Sequence, residues 1–170
     1  MPIKSSLAIA VALISLQPVQ AVDRLPLGSN DVVVFLGGAN LLRQQQSGYL
    51  ETLMTEAAVR QDAAGIRFRD FTWEADTVYR QGTVIERWRK DGWRRKGFGD
   101  LNEQLKTVKA SLVIAQFGAM EALEGRQRLD DFRGSLTTLI EQLKTDDRRV
   151  VLITPTRFET PEDAATPDVA

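Results

Sequence analysis

The sequence predicts an α/β protein of the flavodoxin-like, three-layer α/β/α type, in which a parallel sheet lies between two layers of helices. Four short apolar runs, at 32–36, 66–71, 111–116 and 150–154, alternate with longer segments of helical periodicity. Strands that alternate with helices form right-handed βαβ units with parallel strands. Three runs are almost continuously apolar, which is typical of strands buried on both faces. The run at 66–71 alternates apolar and charged residues, which indicates a strand nearer an edge.

The composition excludes several kinds of function. The 170 residues include 22 Lys and Arg and 23 Asp and Glu, and they contain neither Cys nor His. Balanced charge gives no overall field that would attract nucleic acid or a membrane surface. Without cysteine there is no thiol nucleophile or thiolate metal site, and without histidine the usual general base is absent. We therefore expect no metal, no cofactor and no nucleic-acid partner.

Residues 1–21 have the features of a secretory signal peptide. Lys4 precedes an apolar run, LAIAVALISL, and small residues end the segment at Ala21. The run is shorter than the roughly 20 residues that span a membrane. We expect cleavage after Ala21 and export to the periplasm or the medium. The mature chain then divides into a lead-in at 22–30, a domain at 31–159 and an irregular tail at 160–170.

Helix signals follow the strands. A helical pattern covers 41–60, where Gly48 indicates a weak point or a later helix start. Asp100 and Glu103 form the pattern of a capping box, and a long amphipathic helix lies within 119–145. Ligands in open α/β sheets bind at the carboxyl ends of the strands, so the turn at Gly37-Gly38 marks a candidate site.

Four sequence blocks follow the strands in order: FLGGAN, FTWEADTV, QFGAMEA and VLITPTRFE. Their order and spacing resemble the SGNH/GDSL hydrolase family of esterases and lipases, in the branch found in large exported proteins of planctomycete-type bacteria. The resemblance covers about 31–159 and implies a flavodoxin-like fold and hydrolysis of acyl or carbohydrate esters. Taken alone, Gly37-Gly38 would indicate only a strand-to-helix turn. GGAN also lacks the G-x-G-x-x-G spacing and the P-loop lysine of nucleotide sites.

The resemblance assigns catalytic positions to residues that lack the family's chemistry. Ala39 stands at the nucleophile position, Ala75 at the first oxyanion position and Met120 at the position of the asparagine donor. Alanine cannot form an acyl-enzyme, and loss of one oxyanion donor typically costs on the order of a hundredfold in rate. The family's Asp-x-x-His block does not occur before Ala170. We therefore expect a final strand and helix to be missing from this chain.

Three functional interpretations stay open. The first is a catalytically impaired ester hydrolase, a pseudoenzyme that keeps a cleft for a small-molecule ester, an acylated sugar or a glycan. The second is a working esterase in which a carboxylate, foremost Glu121, acts as general base on water. The third is an interaction domain of an exported assembly, with the basic and aromatic segment 79–99 as its protein contact. The predicted ligand contacts are Gly38, Asn40, Trp73, Asp76 and Gly118, with Trp88 and Trp93 as further candidates.

Overall fold

A computed structural model describes residues 25–74, 76–79 and 100–155 of the chain. Four strands form one parallel sheet in the order β2-β1-β3-β4, with β1 at Val32–Gly37, β2 at Arg67–Thr72, β3 at Leu112–Gln116 and β4 at Arg149–Leu152. The helices are α1 at Ala39–Ser47, α2 at Tyr49–Arg60, α3 at Leu101–Thr107, α4 at Ala119–Ala122 and α5 at Leu129–Leu143. Short 3₁₀ turns lie at Arg126–Arg128 and Thr145–Asp147. The predicted α/β class is confirmed, with the strand order of a flavodoxin-like three-layer fold.

The central strand β1 supplies both faces of the core. Val34 and Leu36 pack in one cluster with residues of α3 and α5, such as Leu105. Val33 and Phe35 point to the other face, where they pack with residues of α1 and α2. Successive side chains of a strand point to opposite faces, so an unbroken apolar run is what a strand between two helix layers requires.

The two edge strands are less covered than the centre. The ring of Phe68 in β2 stacks on the ring of Phe35 in β1, with 5.8 Å between their centroids, while the charged residues of β2 are exposed. The predicted edge position of β2 is thus confirmed. The prediction that the last run is a buried strand is wrong, because β4 is only half-buried and Leu152 is 44% exposed. Within the described ranges β4 pairs with β3 alone, and Val150 and Val151 pack against the two core clusters from this edge of the sheet.

Gly48 divides the helical segment after β1. It adopts φ 66° and ends α1, with its N–H donating to the Gln45 carbonyl, and α2 begins at the next residue. The single helix expected at 41–60 is therefore two helices, as the position of the glycine allowed. The predicted capping box is confirmed, because Asp100 accepts from the Glu103 N–H and Glu103 accepts from the Asp100 N–H. The long helix within 119–145 is α5.

Arg148 fixes the carboxyl end of α5 to the start of β4. Its side chain is 1% exposed, and its Nε donates to the Leu143 carbonyl at 2.9 Å. Its Nη2 donates to Asn102 Oδ1 at 3.1 Å, which connects α5 with α3. A buried cation thus satisfies carbonyl groups that every helix leaves without partners at its last turn.

Asp31 fixes the opposite ends of the strands. Its Oδ2 accepts from the Gly28 N–H and from Arg149 Nη2, both at 2.6 Å, and its Oδ1 accepts from the Ser111 hydroxyl at 2.7 Å. Burial by itself would raise the pKa of the Asp31 carboxyl. The hydrogen bonds, with that of Gly28 the largest, outweigh burial, and the pKa lies below its ordinary value.

No helix among the described residues is long and apolar enough to cross a bilayer. The predicted signal peptide at 1–21 and the tail at 160–170 lie outside the described residues.

The lowered pKa of Asp31 makes stability depend on pH. A carboxyl with a lower pKa in the folded chain stabilises it above the unfolded value of about 3.9, and this contribution is lost as pH falls through the folded value. We expect Asp31→Asn to lower the free energy of unfolding by about 1–3 kcal/mol at pH 7, measured by urea titration. The difference from the wild type should shrink below about pH 4.

Asp130→Asn is the matched control for this experiment. Asp130 is 95% exposed and pairs with Arg133 on the surface of α5, so its replacement should change stability by less than about 0.5 kcal/mol. A loss at Asp31 that stayed constant from pH 7 to pH 3 would contradict the assignment.

Candidate functional site

The turns after β1 and β3 lie side by side at the carboxyl edge of the sheet. Gly37 pairs with Gln116 at the end of the two strands. A Cβ at Gly37 would stand 2.4 Å from the Gln116 carbonyl oxygen, so only glycine allows this approach. The Gly37 carbonyl in turn accepts from the Trp73 N–H at 2.9 Å, which brings the turn after β2 to the same edge.

A cavity of about 220 Å³ opens between these turns. It contains most of the residues that the sequence predicted for the site and some that it did not. The predicted residues are Gly38, Ala39, Asn40, Asp76, Gly118, Met120 and Glu121, and the additional ones are Arg43, Gln116, Phe117 and Ala119.

The described cavity wall carries no hydroxyl, thiol, imidazole or primary amine. Ala39 is the first residue of α1, where its methyl group offers no nucleophile. Ser47 ends the same helix, about 12 Å away along its axis at 1.5 Å per residue. Met120 is 42% exposed at the cavity rim and has no hydrogen-bond donor. Side chains at these positions therefore line the cavity without providing the family's acyl-transfer chemistry.

The N-terminus of α1 is open toward the cavity. Its cap residue, Gly38, has no side chain to accept a hydrogen bond, and the first turn contains no acidic residue. The Leu42 N–H is the first to bond within the helix, to the Gly38 carbonyl at 3.1 Å. The N–H groups before it, those of Ala39 and Asn40 included, have no intrahelical acceptor. Helix N-termini of this kind favour acceptor groups of a ligand.

Gln116 adds a hydrogen-bond acceptor to the same cavity. Its side chain is 5% exposed, and its Nε2 donates to the Thr154 carbonyl at 3.1 Å. Within the part of the chain that the structure describes, its Oε1 is buried and accepts no hydrogen bond. Because the amino group donates to the segment that follows β4, the orientation of the side-chain amide is fixed. Its oxygen is therefore the atom that has no partner among the described residues.

Glu121 joins two walls of the cavity. It is 6% exposed, its Oε1 accepts from the Val78 N–H at 2.5 Å and its Oε2 accepts from the Gly118 N–H at 2.8 Å. The carboxylate therefore ties the segment 76–79 to the start of α4. This arrangement favours a structural role for Glu121, since each oxygen already serves a backbone donor.

Gly118 shapes the turn after β3. It has φ 111°, which side-chain-bearing residues rarely adopt, and a Cβ there would lie 3.2 Å from Pro155 and 3.4 Å from Phe132. The backbone conformation thus favours glycine here, and a Cβ would fit only tightly against α5 and the segment after β4.

The remaining predicted site residues differ in how far the structure describes them. Asp76 is 2% exposed and lines the cavity, with its N–H donating to the Trp73 carbonyl. Trp73 is half-buried beside the cavity through its backbone and is not among the lining residues that the structure describes. Ala75, Trp88, Trp93 and nearly all of 79–99 lie outside the described residues.

A second cavity, of about 200 Å³, adjoins the first. The two share Phe117, Gly118 and Glu121, and the second continues between Phe132 and Pro155. At its rim the Arg128 guanidinium lies 5.9 Å from the centre of the Tyr79 ring. The neighbouring Asp131 carboxylate raises the pKa of Arg128, which stays a cation that its acidic neighbours balance.

A larger groove, of about 480 Å³, lies on the other side of the molecule between the lead-in and α2. Its wall is mostly aliphatic, with Leu25, Leu27 and Met54 among the lining residues. Its polar lining residues, Arg60 and Gln61, pair with Glu56 and with the backbone of the lead-in, whereas ligand sites usually offer a few converging polar groups to the ligand. The smaller cavity at the strand ends is therefore the candidate functional site.

The described residues contain no group of three Asp or Glu side chains placed to hold a metal ion. Comparisons with protein-family models, with curated proteins and with solved structures find no match for this chain.

Sequence reasoning overlooked two polar members of the site. Gln116 is the polar residue that ends the apolar run of β3, and a polar side chain at the carboxyl end of a buried strand is a usable signal. Arg43 follows Ala39 by four residues in α1, which places both on one face of the helix. A polar residue at the end of a buried strand predicts Gln116. A polar residue on the helix face that carries Ala39 predicts Arg43.

We expect Glu121→Gln to loosen the cavity. A glutamine offers one oxygen and one amino group, so either the Val78 or the Gly118 N–H would face another donor. The free energy of unfolding should fall by about 2 kcal/mol in a urea titration. The control, Glu124→Gln, removes a charge that is 46% exposed and paired with Arg128, and it should cost less than about 0.5 kcal/mol. Equal stability of the two variants would contradict the structural role of Glu121.

Proposed function

We propose that this chain is an exported relative of the SGNH/GDSL esterases whose cleft binds a small polar ligand and has lost ester hydrolysis. The observation that carries the proposal is the cavity at the carboxyl ends of β1 and β3, with Ala39 as the first residue of α1. The SGNH/GDSL family, which the sequence resembles, carries its nucleophilic serine at this position. Export is inferred from the features of residues 1–21.

The loss of hydrolysis follows from the side chains in the cavity. The family route needs a hydroxyl at the turn after β1, a side-chain donor after β3 and a histidine base. At the first two positions this chain has Ala39 and Met120, and its 170 residues contain no histidine. Glu121 remains as a candidate base, but both of its oxygens accept from backbone N–H groups.

Retention of binding is supported by the groups that remain. The uncapped N-terminus of α1 offers donors, and Gln116 offers a buried acceptor in the same cavity. Ligand sites are commonly 300–1,000 Å³, so a cavity of about 220 Å³ suits one small group of a larger molecule. A glycan or an acylated sugar is a ligand of that kind.

The experiment is an assay of ester turnover with the purified chain and with Ala39→Ser. We expect neither to hydrolyse p-nitrophenyl esters from acetyl to octanoyl above the buffer rate, because a serine restored alone still lacks a base and the second oxyanion donor. Ser47→Ala serves as a control and should be indistinguishable from the wild type.

Turnover by the wild type would contradict the proposal. If that turnover disappeared in Glu121→Gln while circular dichroism showed a folded protein, the esterase with a carboxylate base would replace it. Turnover that appeared only in Ala39→Ser would show that a base survives in the cavity, and the proposed loss of the family chemistry would be limited to the nucleophile.

A further inference from the structure

We propose that the cavity recognises a free hydroxyl group of its ligand, and that Gln116 is the residue that selects for it. This inference rests on the proposed binding function and narrows its ligand to the unacylated, hydroxyl-bearing form. The recognition involves hydrogen bonds alone, with no covalent step.

The first support is the unsatisfied acceptor of Gln116. The side chain is 5% exposed, its Nε2 is held by the Thr154 carbonyl at 3.1 Å, and its Oε1 accepts no hydrogen bond from the described residues. Buried acceptors without partners are rare and costly in folded proteins. A ligand that donates to Oε1 gives this buried acceptor a partner and removes the cost of leaving it unsatisfied.

The second support is the position of the donors of α1. Gly37 pairs with Gln116, and α1 begins two residues after Gly37, so its open first turn lines the same cavity. A hydroxyl group donates through its hydrogen and accepts at its oxygen, and it can serve both walls at once. An ester carbonyl only accepts, so an acylated group would leave Oε1 without a donor.

The described lining gives an anion little attraction. Arg43, the cation of the lining, is exposed to solvent, which weakens its attraction for an anion. A hydroxyl group carries no charge and does not depend on a cation for binding.

Access to Oε1 requires a small movement of the wall. The oxygen is shielded from solvent, and the exposed Met120 at the rim has an unbranched side chain that changes rotamer easily. Since Met120 and Gln116 line the same cavity, we expect a ligand that reaches Oε1 to shift the Met120 backbone amide together with the Gln116 side-chain amide.

The test is an NMR titration of the ¹⁵N-labelled chain with matched probes. Methyl β-glucoside, methyl β-galactoside and methyl α-mannoside are each compared with their fully O-acetylated counterparts. We expect at least one glycoside to shift the Gln116 side-chain amide and the backbone amides of Gly38 and Gly118. Its acetylated counterpart should bind at least about tenfold more weakly, as the loss of one hydrogen bond implies.

Gln116→Met tests the residue itself. Methionine keeps the length of the side chain and removes the acceptor, so the glycoside should bind about tenfold more weakly while the acetylated probe is unaffected. Gln46→Met, at an exposed position of α1, is the control and should bind as the wild type does. If Gln116→Met fails to fold, the shift of the wild-type Gln116 amide decides the question.

The outcomes separate the two proposals. Equal binding of free and acetylated probes, or stronger binding of the acetylated ones, overturns the selection by Gln116 and leaves the binding function standing. The absence of any shift at the cavity with either set of probes overturns both.

Discussion

The close packing of β1 against β3 at Gly37 is the constraint on which the site depends. The Gln116 carbonyl occupies the space that any other side chain at Gly37 would need. With glycine there, the two strands stay paired to their ends, and the turns that follow them open into one cavity. The Gly37 carbonyl accepts a hydrogen bond from the Trp73 N–H and so holds the turn after β2 at the same edge. One residue without a side chain thus positions three turns.

Buried charged groups secure the scaffold around this point. The Asp31 carboxylate accepts hydrogen bonds at the amino ends of the strands, and the Glu121 carboxylate accepts them at the carboxyl ends. Arg148 joins α5 to β4 through helix carbonyl groups. Each charge is matched by donors or acceptors, as burial requires, and loss of one partner would leave the other unsatisfied. The cavity is therefore held by directional contacts that fix its walls relative to the sheet.

The sequence predicted what periodicity and capping determine. β1 could be predicted because a strand between two helix layers must be apolar on both faces, and the Asp100–Glu103 cap because the two residues satisfy each other locally. The exposure of β4 could not, since an apolar run looks the same at the centre and at the edge of a sheet. The role of Glu121 depends on the Val78 N–H, 43 residues away in the chain, and no local pattern contains that contact. Gln116 could not be predicted as a site residue from periodicity, because the apolar residues before it indicate only a buried strand.

We propose that the cavity at the strand ends binds a ligand and lacks an activated nucleophile. The most direct test is to incubate the folded protein with a fluorophosphonate, which phosphonylates activated serine side chains, and to measure the intact mass. We predict no increase in mass under conditions that fully modify an active serine esterase in the same tube. A stoichiometric adduct that forms on the folded chain and fails to form after denaturation would contradict the account, and its position would identify the nucleophile.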